Sequence, residues 1–166
     1  FEKHLKSGNY KEVIFMAGGT ASGKTEFAFS YLIKEHQLVY DGTLKNLNGF
    51  NIKTRNIKRY TKNNPKIKVV FVLPEYWISA LGVFLSRERK MELKTFFMTH
   101  SFSAHSVSEI LKNTNHIVDI YVSSFNADKN KLRYAKLTIP RKQKIKILEN
   151  VSDSIKKQAQ NFGIDL

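Results

Sequence analysis

A glycine-rich segment at residues 18–25 constrains the fold of this chain more than any other feature. Its sequence, Gly-Gly-Thr-Ala-Ser-Gly-Lys-Thr, matches the pattern Gly-x4-Gly-Lys-Thr of a phosphate-binding P-loop in full. An apolar run from Val13 to Met16 precedes it and predicts a buried strand. Residues 26–35 follow with apolar side chains at helical spacing. A strand, a glycine loop and a helix in this order are the structural context that a P-loop requires.

Each part of this loop has a physical role in binding the phosphates of a nucleotide. Glycines allow backbone conformations and close approaches that a side chain would block. Backbone N–H groups then surround phosphate oxygens at the N-terminus of a helix. We expect Lys24, solvent-facing without ligand, to place its charge on the β- and γ-phosphates, and Thr25 to offer a hydroxyl to Mg²⁺. The predicted cofactors are therefore ATP and Mg²⁺, bound by Gly18, Gly19, Thr20, Ala21, Ser22, Gly23, Lys24 and Thr25.

Apolar runs and helical periodicities alternate along the rest of the chain. Further strands are predicted at 38–40, 67–73, 117–123 and 132–139, the last as a strand or hairpin arm. Further helices are predicted at 52–63, from Pro74 to 86, at 106–112 and from Pro140 onward. This order indicates an α/β protein with the fold of a kinase-type P-loop NTPase, in which a mainly parallel sheet has helices on both faces. We expect residues 1–166 to form a single domain.

Asp41 directly follows the predicted strand Leu38 to Tyr40. In open parallel sheets, ligands bind beyond the carboxyl ends of the strands, where the glycine loop, Asp41, Pro74-Glu75 and Ser123-Ser124 all fall. A carboxylate at a strand end beside a P-loop commonly holds magnesium, directly or through water. We therefore predict Asp41 as a catalytic and metal-binding residue. The alternative is an Asp-Gly turn without a catalytic role.

Arg87 and Arg89 follow the helix predicted from Pro74 to 86. Arginines at this place could close over a triphosphate and stabilise the charge that develops during transfer. The alternative is a solvated helix end, with the arginines paired to Glu88 and Glu92. Both arginines are candidate catalytic residues, and Arg87 is preferred.

Composition limits the classes of partner. The 28 Lys and Arg against 14 Asp and Glu give a formal charge of +14, which attracts polyanions such as nucleic acid. The lysines are spread along the chain, which favours a solvated surface over a dedicated patch. No apolar run approaches the roughly 20 residues of a membrane span, so no membrane partner is expected. The absence of cysteine excludes disulfides and thiolate metal sites and fits a cytoplasmic location.

The five histidines show no metal-ligand spacing with a carboxylate partner. We interpret them as surface or core residues. His100 and His105 lie on either side of residues 101–104 and could contact an acceptor.

Residues 17–25, taken together with Leu-Val-Tyr-Asp-Gly-Thr-Leu at 38–44, resemble the zeta-toxin family of P-loop kinases, which includes UDP-N-acetylglucosamine kinase-like enzymes. The resemblance runs from Val13 to about Ser123. It implies ATP-dependent phosphorylation of a hydroxyl on a sugar-nucleotide or other nucleotide-like acceptor. It also implies that Arg87 is a lid arginine and that an antitoxin protein is a partner. The alternatives are a polynucleotide or tRNA-type kinase and a non-catalytic module that binds nucleotide or nucleic acid.

One feature of the zeta-toxin family has no counterpart here. The family carries an acceptor-activating aspartate, in a motif resembling Asp-x-Asp, on a further strand between the P-loop and the Asp-Gly-Thr strand. No such motif stands between Lys24 and Asp41. We therefore predict that a segment is missing from this sequence between Phe29 and His36. An unbroken backbone there, with an intact mass of 19.2 kDa, would refute this prediction.

Overall fold

The computed structural model describes residues 5–6, 8–32, 34–86, 92–126 and 131–166. The strands of this part are β1 (Glu12–Ala17), β2 (Gln37–Tyr40), β3 (Lys66–Pro74), β4 (Ile117–Asn126) and β5 (Lys131–Lys136). The helices are α1 (Lys24–Tyr31), α2 (Leu47–Tyr60), α3 (Trp77–Leu85), α4 (Leu93–Asn113) and α5 (Arg141–Asn161). None of these helices combines the length and the apolar character needed to cross a bilayer.

The strands form one five-stranded sheet in the order β2-β1-β3-β4-β5. The first four strands are parallel, and β5 returns antiparallel to β4. β1 therefore has a parallel neighbour on each side, and its carboxyl end opens onto the ends of β2 and β3. The predicted α/β fold with a mainly parallel sheet is confirmed.

The side chains of β1 explain why the sheet needs helices on both faces. Val13 and Phe15 pack on one face with a core to which α2, α4 and α5 contribute. Ile14 and Met16 pack on the opposite face against Phe27 of α1. Because successive side chains of a strand point to opposite faces, a strand covered on both sides is apolar throughout. The continuous run at Val13 to Met16 has this origin.

The lower part of the α1 face is polar. Asp119 of β4 lies between Lys68 of β3, at 2.8 Å, and Lys136 of β5, at 2.9 Å. Burial raises the pKa of this carboxyl, but the two lysine partners outweigh burial and hold the pKa below its usual value. The eight-residue helix α1 therefore covers the apolar part of this face, while a cross-strand ion pair network occupies the rest.

Helix α4 differs most from its prediction, because it spans Leu93–Asn113 instead of 106–112. Its first half buries Thr99, His100, Ser101 and Ser103, and these polar residues interrupt the apolar periodicity on which the prediction depended. Helix α1 ends at Tyr31, before the predicted Glu35.

Helices α2 and α3 also begin at other residues than predicted. Helix α2 begins at Leu47, where the Asn46 side chain caps it by accepting the N–H of Gly49. Pro74 ends β3 instead of opening α3.

The interval between α1 and β2 is short. Within the described residues β2 pairs with β1 alone, so it is an edge strand, and no described strand corresponds to the further one that the resemblance implies. The segment proposed to be missing between Phe29 and His36 stays a prediction, as does the single-domain assignment.

Candidate functional site

The glycine-rich loop connects the carboxyl end of β1 to the first turn of α1. Three of its residues adopt left-handed backbone conformations: Gly18 with φ 130°, Ala21 with φ 63° and Gly23 with φ 85°. Gly23 is the N-cap of α1, so the backbone N–H groups of the first helical turn open onto the same space as the loop. A nest of this kind is suited to surround an anion.

At two positions of the loop, neighbouring atoms lie so close that only glycine fits. A Cβ atom on Gly18 would lie 2.4 Å from the carbonyl oxygen of Val72, on the neighbouring strand β3. A Cβ atom on Gly19 would lie 2.1 Å from the ring carbons of His100. The first glycine therefore lets the loop pass the sheet, and the second lets a buried side chain of α4 pack against the loop.

Lys24 lies inside the loop, with its side chain buried. The residue is only 8% exposed, and its Nζ donates a hydrogen bond of 2.7 Å to the carbonyl oxygen of Gly19. The expectation of a solvent-facing lysine is therefore wrong, because the ammonium group turns into the loop and binds the carbonyl oxygen of Gly19. The charge is nevertheless within the loop, where a bound phosphate would lie.

Thr25 and Asp41 meet although they stand 16 positions apart, with most of α1 and strand β2 between them. The Thr25 hydroxyl donates a hydrogen bond of 2.8 Å to Asp41 Oδ2, and both residues are exposed. A hydroxyl and a carboxylate side by side are oxygen ligands of the kind that Mg²⁺ prefers, together with water and substrate phosphates. The two side chains therefore fit the predicted magnesium site.

Two small cavities lie near the carboxyl edge of the sheet, and the first is at the end of β2. It has a volume of about 210 Å³ and is lined by Tyr40, Thr43, Lys45 and Lys53, among others. A second cavity of about 170 Å³ lies over the loop itself, and Thr43 lines both. The lining of the second comprises Thr20, Ala21, Ser22, Gly23, Lys24, Thr25, Glu26 and Thr43. Six of the eight residues of the predicted loop, 20–25, thus line one space.

Strands β4 and β5 also contact the loop. Ser123 Oγ donates a hydrogen bond of 2.8 Å to the carbonyl oxygen of Ser22. The Tyr134 hydroxyl donates one of 2.8 Å to the carbonyl oxygen of Gly23. The sequence indicated Ser123 as a residue at the carboxyl edge, and the structure places it there. Tyr134 carried no signal in the sequence, because its contact depends on the antiparallel return of β5.

Three buried residues of α4 bind the loop from behind. Thr99 Oγ1 accepts a hydrogen bond of 3.0 Å from the N–H of Thr20, and Ser103 Oγ accepts one of 2.7 Å from the N–H of Gly18. His100 Nε2 lies 2.9 Å from the carbonyl oxygen of Thr20. Sequence reasoning missed Thr99 and Ser103, and it left His100 as a surface or core residue. The two hydroxyls lie one helical turn apart and so share a face of α4, but this spacing by itself does not show that the face is buried against the loop.

The His100 ring is held in its neutral form. A carbonyl oxygen only accepts hydrogen bonds, so the contact with Thr20 assigns the ring proton to Nε2. Burial, with a smaller contribution from the charge of Lys24, lowers the pKa of His100 from 6.5 to about 4, against the opposing effect of the Thr20 hydrogen bond. A cationic imidazole is therefore disfavoured beside the loop.

The lowered pKa of His100 leads to a prediction of how stability depends on pH. Between about pH 6.5 and pH 4 the unfolded state protonates His100 while the folded state resists, so the unfolded state binds more protons. The free energy of unfolding should fall as the pH is lowered through this window, by up to about 3 kcal/mol from this residue. Urea denaturation across the window should show a flatter dependence for His100→Gln. Parallel profiles for the two proteins would contradict the prediction.

Arg87 and Arg89 lie outside the described residues, so their catalytic roles stay predictions. The structure brings together the other candidate residues, Lys24, Thr25 and Asp41, at the carboxyl edge of the sheet. In the described part of the chain, no three His, Asp or Glu side chains gather as a metal-binding group. Any metal here would therefore be held by few protein ligands, as Mg²⁺ at a nucleotide commonly is.

Comparisons with known proteins bear on the fold. No family model matches the sequence, and no curated protein matches it. The structure is similar to a solved one, that of AvrRxo1-ORF1:-ORF2 with ATP, with a TM-score of 0.54 and 9% sequence identity. The match covers 91% of this chain and 66% of that chain, so this chain spans slightly less than two thirds of its length. At this identity the likeness establishes the fold alone.

Proposed function

We propose that this chain is an ATP-dependent kinase of the zeta-toxin type, which transfers a phosphoryl group to a hydroxyl of a sugar-nucleotide or other nucleotide-like acceptor. One observation carries the proposal: the loop that holds Lys24 opens beside the Thr25–Asp41 pair at the carboxyl edge of a parallel sheet. A phosphate-binding loop, a charge and two magnesium ligands in one place are what phosphoryl transfer needs from a protein.

The roles follow from the geometry. The loop N–H groups and the α1 N-terminus would bind the phosphates. Lys24 would exchange its hydrogen bond to Gly19 for one to a phosphate oxygen, so its charge is already near the site of transfer. Thr25 and Asp41 would hold Mg²⁺, which neutralises charge on the phosphates. The similar structure of AvrRxo1-ORF1:-ORF2 was solved with ATP, which supports ATP as the donor.

Transfer to a small acceptor is tested directly with labelled nucleotide. The protein is incubated with γ-labelled ATP, Mg²⁺ and a metabolite extract, and the labelled product is identified. We expect label on a nucleotide-like metabolite. Label on RNA or DNA, with activity that falls steeply as salt rises, would instead support a polynucleotide kinase, which the charge of +14 favours. ATP binding without transfer to either would leave a non-catalytic nucleotide-binding module.

The Thr25–Asp41 pair gives a prediction about magnesium. Asp41→Asn keeps the shape of the side chain but removes the charge that attracts the metal. We expect the Mg²⁺ concentration for half-maximal transfer to rise about tenfold or more. A magnesium titration of the transfer rate measures this change, and Asp153→Asn, an exposed carboxylate on α5, serves as the control. An unchanged magnesium requirement would indicate that Asp41 is a turn residue without a role in metal binding.

Arg87 remains the proposed lid arginine. Arg87→Ala should lower kcat more than it weakens ATP binding, because the developing charge is greatest in the transition state. An antitoxin partner likewise stays a proposal from the resemblance.

A further inference from the structure

We infer that Thr99, His100 and Ser103, here called the loop support, are positioning residues that hold the glycine-rich loop in its nucleotide-binding conformation. The inference rests on the proposed function, since it concerns the same loop. It adds residues from a helix about 80 positions further along the chain that neither the loop pattern nor the family resemblance includes.

The loop support forms hydrogen bonds with both backbone polar groups of Thr20. Thr99 Oγ1 accepts its N–H at 3.0 Å, and His100 Nε2 donates to its carbonyl oxygen at 2.9 Å. The Thr99 hydroxyl also donates to the carbonyl oxygen of Phe96, within α4, which fixes the direction of its lone pairs. Thr20 is therefore held on both sides, and the peptide groups that precede Ala21 cannot rotate without breaking a partly buried hydrogen bond.

Ser103 connects two loops through one oxygen atom. It accepts the N–H of Gly18 at 2.7 Å and donates to the carbonyl oxygen of Thr43 at 2.5 Å. Thr43 stands two residues after Asp41, and Gly18 begins the phosphate-binding segment. The N–H of Gly18 also lies 3.3 Å from the carbonyl oxygen of Thr43, so the hydroxyl adds a second link between the loop that would bind phosphate and the turn that carries a proposed magnesium ligand.

The loop needs such support because its conformation is unfavourable by itself. Ala21 has φ 63°, a left-handed conformation that residues with a Cβ rarely adopt and that persists only where the surroundings enforce it. Without its partners on α4, the loop would sample other conformations before ATP binds. Apparent affinity falls in proportion to the population of the competent conformation, so loss of support should weaken nucleotide binding.

Other buried hydroxyls on α4 do not contact the loop, which provides a matched control. Ser101 and Ser103 are both fully buried, but Ser101 Oγ lies 3.0 Å from Ser152 Oγ of α5. Ser101→Ala and Ser103→Ala therefore make the same change two positions apart on one helix. Each substitution removes the hydrogen bonds of one fully buried hydroxyl, so the two should lower stability by similar amounts. Only Ser103→Ala removes a contact with the loop.

The test measures binding of a fluorescent ATP analogue with Mg²⁺ to the whole chain and to four variants. We expect Ser103→Ala to raise the Kd about tenfold, on the scale of one lost hydrogen bond, and Ser101→Ala to leave it unchanged. Thr99→Val, which keeps the volume but removes the acceptor for Thr20, should also raise the Kd. Thr99→Ser restores the hydroxyl and should restore the affinity.

The possible failures are distinguishable. If the unaltered chain does not bind the analogue, the proposed function fails. If the chain binds it and both Ser103→Ala and Thr99→Val bind as tightly as their controls, the loop support is refuted. If Ser103→Ala does not fold, the Thr99→Val and Thr99→Ser pair decides, because threonine and valine have nearly the same shape. Equal affinity for that folded pair would overturn the inference.

Discussion

Replacement of Lys24 with Ala should lower phosphate transfer by about 10²- to 10³-fold, the range seen when one preorganised donor to the developing charge is removed. Lys24 lies within the loop that would hold the phosphates, and its Nζ is 2.7 Å from the carbonyl oxygen of Gly19. Among the described residues that line the loop cavity, Lys24 alone carries a positive charge. Transfer from γ-labelled ATP to the identified acceptor measures the loss.

The burial of Lys24 requires a control for folding. Because the residue is 8% exposed, its loss leaves the Gly19 carbonyl without this partner, so some destabilisation is expected. Circular dichroism and urea denaturation establish that the Lys24→Ala protein is folded under the assay conditions. Lys142→Ala, on the exposed first turn of α5, controls for loss of one positive charge from a strongly basic chain. A folded Lys24→Ala protein with nearly normal transfer would refute the assignment of the site.

Gly19→Ala should destabilise this chain by overpacking the contact between the loop and the His100 ring. The added Cβ would lie 2.1 Å from the ring of His100, and real Cβ atoms do not make contacts this short. The ring cannot simply move away, because it is buried and bonded to Thr20. Overpacking of a buried site costs about 1–3 kcal/mol and sometimes more. Urea denaturation at neutral pH measures the loss of free energy of unfolding.

A double-mutant cycle separates this clash from other effects. In a His100→Ala background the ring is absent, so Gly19→Ala should cost much less than in the unaltered chain. Gly82→Ala provides the opposite control: Gly82 is in α3 and a Cβ there meets no atom within 4 Å, so alanine should be neutral or stabilising by up to about 1 kcal/mol. An equal loss of free energy of unfolding from Gly19→Ala in both backgrounds would show that the His100 ring is not what requires glycine at position 19.

The two substitutions examine different parts of one arrangement. Lys24 concerns what the loop does to a phosphate, while Gly19 concerns how α4 holds the loop in place. If Lys24→Ala abolishes transfer with only a small loss of stability, and Gly19→Ala mainly lowers stability, then the chemical group and the support of the loop are separate. Loss of both properties in both variants would instead indicate that the loop and α4 fold as one unit.

The sequence by itself determined the parts of the site whose signals are local. The glycine loop, the strand before it and Asp41 at a strand end are each readable within about ten residues, because hydrophobic periodicity and turn chemistry act over that distance. The α/β fold followed from the alternation of strands and helices, because parallel strands need crossover connections. These inferences needed no knowledge of which distant residues meet.

Tertiary structure decided the rest, because the deciding contacts join residues far apart in the chain. Thr99 and Thr20 are separated by 79 positions, and no local pattern shows that Thr99, His100 and Ser103 are buried against the loop. The same contacts explain why α4 is longer than its apolar periodicity indicated. The burial of Lys24 also depended on tertiary structure, since only the folded loop brings the Gly19 carbonyl to its ammonium group. The burial of the polar residues of α4 and of Lys24 thus depends on hydrogen bonds that exist only after the sheet and helices have packed.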